Sequence, residues 1–182
     1  MMKYAEIASF VHGRILALSN SKAALAKLRR GIGKQLGEMP EIMGYVFPDD
    51  RTTGSIIDNA LYTAITLYAL HQQGNDSFMG DVNEKNGEKC YSSFGSAVQK
   101  LVTEENEVAI KRRFDKVLTS TDLVELSVHA RSIINQLSKA GIPLDYSSFA
   151  VDLVRFQNED TRREVVVKWG KDYYSVNKGE KN

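Results

Sequence analysis

The 182-residue sequence contains one cysteine, three prolines and no long apolar run. A single cysteine, Cys90, cannot form an intramolecular disulfide or a cysteine-rich zinc site, and it fits a reducing compartment. No segment approaches the roughly 20 consecutive apolar residues of a membrane span. The first residues lack the apolar stretch and small-residue cleavage site of a signal peptide. We therefore expect a soluble, cytoplasmic protein with no membrane partner.

The sequence also lacks the motifs of common catalytic and cofactor-binding sites. It contains no P-loop, no Gly-x-Gly-x-x-Gly and no Gly-x-Ser-x-Gly. The three histidines, His12, His71 and His129, are far apart, and none has the spacing of a metal ligand. His71 closes an apolar helical segment, where we expect it to interact with the helix dipole. The missing motifs predict a protein that is not an enzyme and that has no catalytic residue, metal or cofactor.

Helical periodicity accounts for most of the chain. A first helix, over about 7–18, is expected to be broken or weakened near Gly13, and Ser55 is expected to cap a long helix that ends near Gln73. Thr103 is the expected cap of a later helix. The other predicted helices run from Lys22 to a stop between Gly31 and Gly37, between Pro40 and Pro48, and over 93–101, 104–118, 122–140, 145–157 and 161–174.

These elements predict an all-α protein, a compact bundle of about eight to nine helices. We treat residues 1–182 as one domain and leave open a division into two packed lobes, 1–90 and 91–175, with a polar tail at 176–182. The segment GNDSFMGDVNEKNGE, residues 74–88, is rich in Gly, Asn and Asp and is predicted to be a loop. Its acidity argues against contact with phosphate.

Positive charge is concentrated in three segments, although the net charge of the chain is only +1. Residues 7–37 contain no acid, and the stretch KLRRGIGKQ within them holds four cations. On a helical wheel Lys27, Arg30 and Lys34 lie opposite the apolar residues, if the helix continues through Gly31. Cations without nearby acids repel one another, so a polyanion is their natural counter-charge.

The second basic segment is KRRF, which starts at Lys111, and the third is the acid-free stretch 126–144. Taken alone, each segment is most simply a solvated helix face, because exposed helix faces are commonly charged. Local pairs could also neutralise part of the second segment, Lys111 with Glu107 and Arg112 with Asp115. Three basic segments in a nearly neutral chain weaken the interpretation as solvated helix faces without removing it, and a binding surface is the alternative.

Several motifs follow one another in an order that is more specific than any one of them. They are ALAKLRRG (24–31), YALHQQ (68–73), FGSAVQKL (94–101), IKRRFDKVLTS (110–120), LDYSSFAVDLVRFQ (144–157) and VKWGKDYY (167–174). With this set, over roughly residues 5–175, the sequence resembles the CasB family, the small subunit of the type I-E CRISPR surveillance complex Cascade.

The resemblance implies an all-helical, non-catalytic subunit in bacterial antiviral defence. Such subunits lie as a pair along the complex and contact its backbone and large subunits. They help to hold the target DNA strand paired with the guide RNA (crRNA), and they help to hold the displaced strand of the R-loop. The expected partners are therefore other Cascade subunits, a second copy of the chain, crRNA and target DNA.

The resemblance assigns contacts with the nucleic-acid backbone to the arginines of two motifs, Arg29, Arg30, Arg112 and Arg113. The helical-face argument adds six further cations: Lys22, Lys27, Lys34, Lys116, Arg131 and Lys139. We call these ten residues the basic set. Such contacts would be independent of sequence, because pairing with the guide reads the sequence.

Two other functions stay open at this point. The chain could be a purely structural scaffold whose basic faces meet acidic faces of partner proteins, without direct contact with nucleic acid. It could also be an enzyme, although no motif supports that function.

Overall fold

The computed structural model describes residues 2–49, 54–80 and 92–175, together with the backbone of 84–85 and 88–89. Cys90, the proposed lobe boundary at 90–91, the polar tail at 176–182 and part of the predicted loop at 74–88 lie outside the described residues. The described helices are α1 (Tyr4–Leu18), α2 (Lys22–Leu28), α3 (Met43–Val46), α4 (Ser55–His71), α5 (Phe94–Gln99), α6 (Glu107–Leu118), α7 (Leu123–Ala140), α8 (Tyr146–Phe156) and α9 (Glu159–Ser175).

Short elements complete the fold. Two 3-10 helices, Arg29–Gly31 and Pro40–Ile42, follow α2 and precede α3. Two-residue strands, Glu84–Lys85 and Glu88–Lys89, pair in antiparallel fashion within the segment predicted as a loop. The all-α prediction is confirmed, whereas the division into lobes stays a prediction.

Local capping chemistry explains where several helices begin. The side chains of Ser21, Ser93, Asp122 and Asp145 accept hydrogen bonds from the backbone N–H three residues on, at the N-termini of α2, α5, α7 and α8. Each such cap satisfies one of the backbone N–H groups that the first turn of a helix leaves unpaired. Gly141 ends α7 in the left-handed conformation, with φ of 65°.

Three predictions, one about the continuity of a helix and two about helix caps, were wrong. α1 runs through Gly13 without a break, because Val11 and Ile15 on either side are buried and their packing outweighs the weak helix propensity of glycine. Ser55 is the first residue of α4 and makes no cap hydrogen bond. Thr103 does not cap α6 with its side chain, since Asn106 takes the N-cap position and its Oδ1 accepts from the Thr103 N–H at 2.7 Å.

The core is centred on α4, whose residues from Ala60 to His71 are all buried. α4 packs against α1, α2, α7 and α8, so most of its surface is covered by other helices. α8 packs in turn against α1 and α9. A helix that is apolar on every side belongs in the interior.

An aromatic cluster joins α5, α8 and α9. The ring centroid of Trp169 lies 5.1 Å from that of Phe94 and 5.8 Å from that of Phe149. Gly95 permits this approach, because a Cβ at that position would lie 2.0 Å from the backbone carbonyl oxygen of Trp169. Trp169 and Tyr173 are core residues.

The prediction for His71 was wrong. His71 is fully buried, and its Nε2 lies 2.8 Å from the carbonyl oxygen of Ile142, to which it must donate. Nδ1 then accepts from the hydroxyl of Tyr146 at 3.1 Å. Burial lowers the pKa of His71 to about 4, although the hydrogen bond to Ile142 opposes this shift. The imidazole is therefore neutral near pH 7 and links α4 to α8 as a hydrogen-bonding group.

Candidate nucleic-acid interface

The first basic segment does not form one continuous helix. α2 ends at Leu28, and Arg29 and Arg30 lie in the 3-10 helix that follows it. The chain turns at Gly33, whose φ of 80° is readily adopted only by glycine. The expectation that Lys27, Arg30 and Lys34 share one helix face is therefore wrong, because Lys34 lies beyond the turn.

The turn brings the first basic segment into contact with the third. The backbone N–H of Gly33 donates to Oγ of Ser127, on α7, at 3.1 Å. A Cβ on Gly33 would lie 3.0 Å from a methyl group of Val128, so this approach is close. Arg131 follows Ser127 by one helical turn and is exposed on the same side of α7. Sequence alone did not indicate this juxtaposition of residues 94 positions apart.

The exposed side of α7 carries cations but no acid beyond its first turn. Lys139 lies eight residues after Arg131, about 12 Å further along the helix axis, and is also exposed. The acids at the helix N-terminus are engaged locally. Asp122 caps the helix, and Glu125 accepts from the backbone N–H and the hydroxyl of Thr121, which lower the pKa of its carboxyl group.

The second basic segment lies on α6, which packs against α7. Arg112 and Lys116 are exposed, and Arg113 is half-buried beside the apolar face. Neither local pair considered from the sequence is found among the described residues, because Asp115 pairs with Lys111 at 2.7 Å rather than with Arg112, and Lys111 does not pair with Glu107. α7 carries the third basic segment and contacts the other two, the first at Gly33 and the second through α6.

None of the ten residues of the basic set forms an ion pair with a carboxylate of another described residue. Lys27 contacts Tyr45, whose hydroxyl lies 3.2 Å from Nζ and whose ring centroid lies 5.5 Å from it. Eight of the ten side chains are exposed, and Arg29 and Arg113 are half-buried. Clustered cations without internal partners keep their full attraction for an external anion.

Two arginines outside the basic set are fixed by backbone carbonyl groups. Arg14 donates from Nε to the carbonyl oxygen of Tyr45 at 2.5 Å, and burial lowers its pKa despite the attraction of Asp49. Arg162 donates from Nε to the carbonyl oxygen of Phe156 at 2.8 Å, and its guanidinium carbon lies 5.1 Å from the ring centroid of Phe156. Sequence reasoning missed both roles, because a carbonyl acceptor leaves no signal in the pattern of charges.

The described residues contain no group of three or more His, Cys, Asp or Glu side chains that could hold a metal ion. Within the same part of the chain, every helix is too short or too polar to cross a membrane. The described residues form a helical protein that carries the basic set on α2, on the segment 29–34 that follows it, on α6 and on α7.

Comparison with known proteins identifies the family. The family model of CRISPR-associated protein Cse2 matches residues 24–174, and the chain belongs to that family. This result confirms the resemblance to CasB that the ordered motifs indicated. None of the curated proteins searched matches the chain significantly.

Solved structures share the fold over almost the whole chain. CasB from Thermobifida fusca is 25% identical, with a TM-score of 0.73 over 96% of this chain and 99% of that one. CasB from Thermus thermophilus is 20% identical, with a TM-score of 0.65 over 96% and 99%. A chain of a CRISPR RNA-guided surveillance complex is 16% identical, with a TM-score of 0.64 over 94% and 98%.

Proposed function

We propose that this chain is the non-catalytic small subunit of a type I-E Cascade complex. In this role it binds the backbones of crRNA, target DNA and the displaced strand without reading their sequence. The observation that carries the proposal is the basic set, which is mostly exposed and has no acidic partner among the described residues. Membership of the Cse2 family and the shared fold of a surveillance-complex chain support it.

The energetics of R-loop formation suit such a role. The RNA–DNA heteroduplex that forms is about as stable as the DNA duplex that it replaces, so modest contacts with the backbone can shift the balance. Lysines and arginines on several helices supply these contacts as point charges and bidentate donors to phosphate oxygens. Lysines and arginines on helix faces, in a sequence without a recognition-helix motif, suit recognition that is independent of sequence.

The test is charge reversal at the turn that joins the basic segments, Arg29→Glu with Arg30→Glu. We expect the affinity for single-stranded DNA to fall by about tenfold or more at low salt, because two phosphate contacts become repulsive. Assembly with the other Cascade subunits should persist. Lys100→Glu with Lys171→Glu is the matched control, since it changes the net charge equally on two exposed residues near α5 and α9, outside the basic set.

The scaffold alternative predicts the opposite result. If the basic faces meet acidic faces of partner proteins, the Arg29 and Arg30 reversals block assembly and leave the affinity for DNA unchanged. Equal losses of DNA affinity in the test and control variants would show that the location of the charge does not matter, and would also contradict the proposal.

A further inference from the structure

A polar cleft of about 530 Å³ lies where four parts of the chain meet. These parts are the segment 34–36 after the turn, α4, the N-terminus of α7 and the junction of α8 with α9. The cleft adjoins the basic set, because Lys34 belongs to both. Its volume is within the range of about 300–1,000 Å³ that small-ligand sites in proteins commonly have.

Two neighbouring side chains of α4 line the cleft without hydrogen-bond partners. Thr63 is only 5% exposed, and its hydroxyl makes no hydrogen bond with any described residue. Asn59, one helical turn earlier, likewise has no side-chain partner in the described parts of the chain. The Thr63 hydroxyl is not sealed off from the cleft, so both side chains can form hydrogen bonds with a ligand there.

The cleft contains two cations, Lys34 and Arg162, and one acid, Asp122. Lys34 is exposed, and Arg162 is half-buried and oriented by its contacts with Phe156. Neither cation pairs with a carboxylate of a described residue. Asp122 also lines the cleft, where one of its carboxylate oxygens caps α7. A phosphate near Asp122 would meet a like charge, whereas a neutral heterocycle would not.

We propose that the cleft accepts one nucleotide of a bound single strand, with its base beside Asn59 and Thr63 and its flanking phosphates at Lys34 and Arg162. The amide and the hydroxyl can each donate and accept, so they suit the polar edge of a base. The two cations suit the phosphodiester groups on either side of that base. This inference rests on the proposed function, because it requires that the chain binds a strand.

The experiment compares two strands of equal length, oligothymidine and an abasic strand with the same phosphates. The wild-type chain should bind oligothymidine about tenfold more tightly, since hydrogen bonds from two side chains to one base together contribute about that much. Thr63→Val removes the hydroxyl at nearly constant volume and should reduce this preference about threefold or more. Asn59→Leu should act in the same direction, whereas Thr63→Ser, which keeps a hydroxyl, should retain most of the preference.

Further arms separate the base from the phosphate and this inference from the proposed function. Lys22→Ala, outside the cleft, should weaken both strands by the same factor and leave their ratio unchanged. Shifts in the amide NMR signals of residues 59–63 should be larger with thymidine monophosphate than with inorganic phosphate. Equal shifts would identify a simple anion site and overturn the inference.

The outcomes for the two strands are also distinct. Equal affinity of the wild-type chain for both would overturn the inference while the proposed function stands. A preference that survives in both Thr63→Val and Asn59→Leu, with unfolding curves showing that the variants are folded, would likewise overturn it. Absence of binding to either strand would contradict the proposed function itself.

Discussion

α8 and the basic set use polar side chains in opposite ways. Three polar side chains of α8 are engaged by neighbouring elements: Tyr146 by His71, Asp152 by Lys168 and Trp169, and Arg155 by Glu164. On α2, α6 and α7 the basic set has no acidic partner among the described residues. The difference separates charges that hold the fold together from charges that remain available to another molecule.

The largest effect is expected where α8 depends most on a buried charge. Asp152 is 3% exposed and accepts from Nζ of Lys168 at 2.8 Å and from Nε1 of Trp169 at 2.9 Å. Asp152→Ala should lower the free energy of unfolding by about 3–5 kcal/mol, because it leaves the buried indole N–H of Trp169 without its acceptor and removes the buried carboxylate that pairs with Lys168. Denaturant unfolding measures this loss.

An exposed ion pair provides the control for Asp152. Arg163 and Glu159 pair at 3.3 Å, with side chains that are 77% and 80% exposed. Glu159→Gln should change stability very little, since exposed pairs contribute about 0–1 kcal/mol. Similar losses in the two variants would show that burial does not distinguish the charges of α8 from those at the surface.

The next effect concerns pH and the neutral His71 beside α8. Its pKa of about 4 in the folded chain lies below the ordinary value of 6.5, so the unfolded chain binds the proton first as pH falls. Neutral His71 therefore stabilises the folded chain by about 3 kcal/mol above about pH 6.5, and this stabilisation is lost as the pH falls towards 4. Of this, about 1 kcal/mol should disappear between pH 7 and pH 5.5.

Unfolding by denaturant at several pH values checks this prediction. The neighbouring tyrosines, Tyr68 and Tyr146, stay neutral over this range because burial raises the pKa of both hydroxyl groups. His71→Gln should abolish most of the pH dependence above pH 5.5, where carboxyl groups contribute little. An unchanged pH dependence in that variant would assign the effect to another group.

The smallest effect compares two adjacent cations on α6. Arg112 has no acidic partner among the described residues, whereas Lys111 pairs with Asp115. If about five phosphates are neutralised, the slope of log affinity against log salt is roughly −3.5 to −4.5, depending on strandedness. Arg112→Ala should reduce the magnitude of this slope by about 1, and Lys111→Ala should reduce it by less, because Asp115 already offsets its charge.

Titration of single-stranded DNA at several salt concentrations measures both slopes. Equal changes for Arg112 and Lys111 would show that an internal ion pair does not withhold a cation from the strand. A larger change for Lys111 would reverse the comparison between paired and unpaired charges.

Local signals predicted the helices. The positions of Leu25 and Leu28, or of Ile110 and Phe114, follow from the helical period, and all four are buried. The caps Ser21, Asp122 and Asp145 and the stop at Gly141 depend only on residues nearby in the chain. Gly13 was misjudged because packing on both sides of a residue can outweigh its own propensity.

Predictions failed where the answer depended on distant residues. His71 was assigned to the helix dipole because Tyr146 and Ile142 are more than 70 positions away and give no local sign of contact. Lys34 was placed on a helix that ends at Leu28, because the turn at Gly33 serves a contact with Ser127. The cleft was not predicted either, since it brings together side chains from four separate parts of the chain.

The sequence by itself determined the helical class, the three basic segments and the family resemblance. These properties follow from the period, the composition and the order of motifs along the chain. Only the tertiary structure decided which basic segments lie side by side, which cation is paired and which hydroxyl is left without a partner. The physical reason is that these relations depend on how buried helix faces pack together, and residues far apart in the chain meet only through that packing.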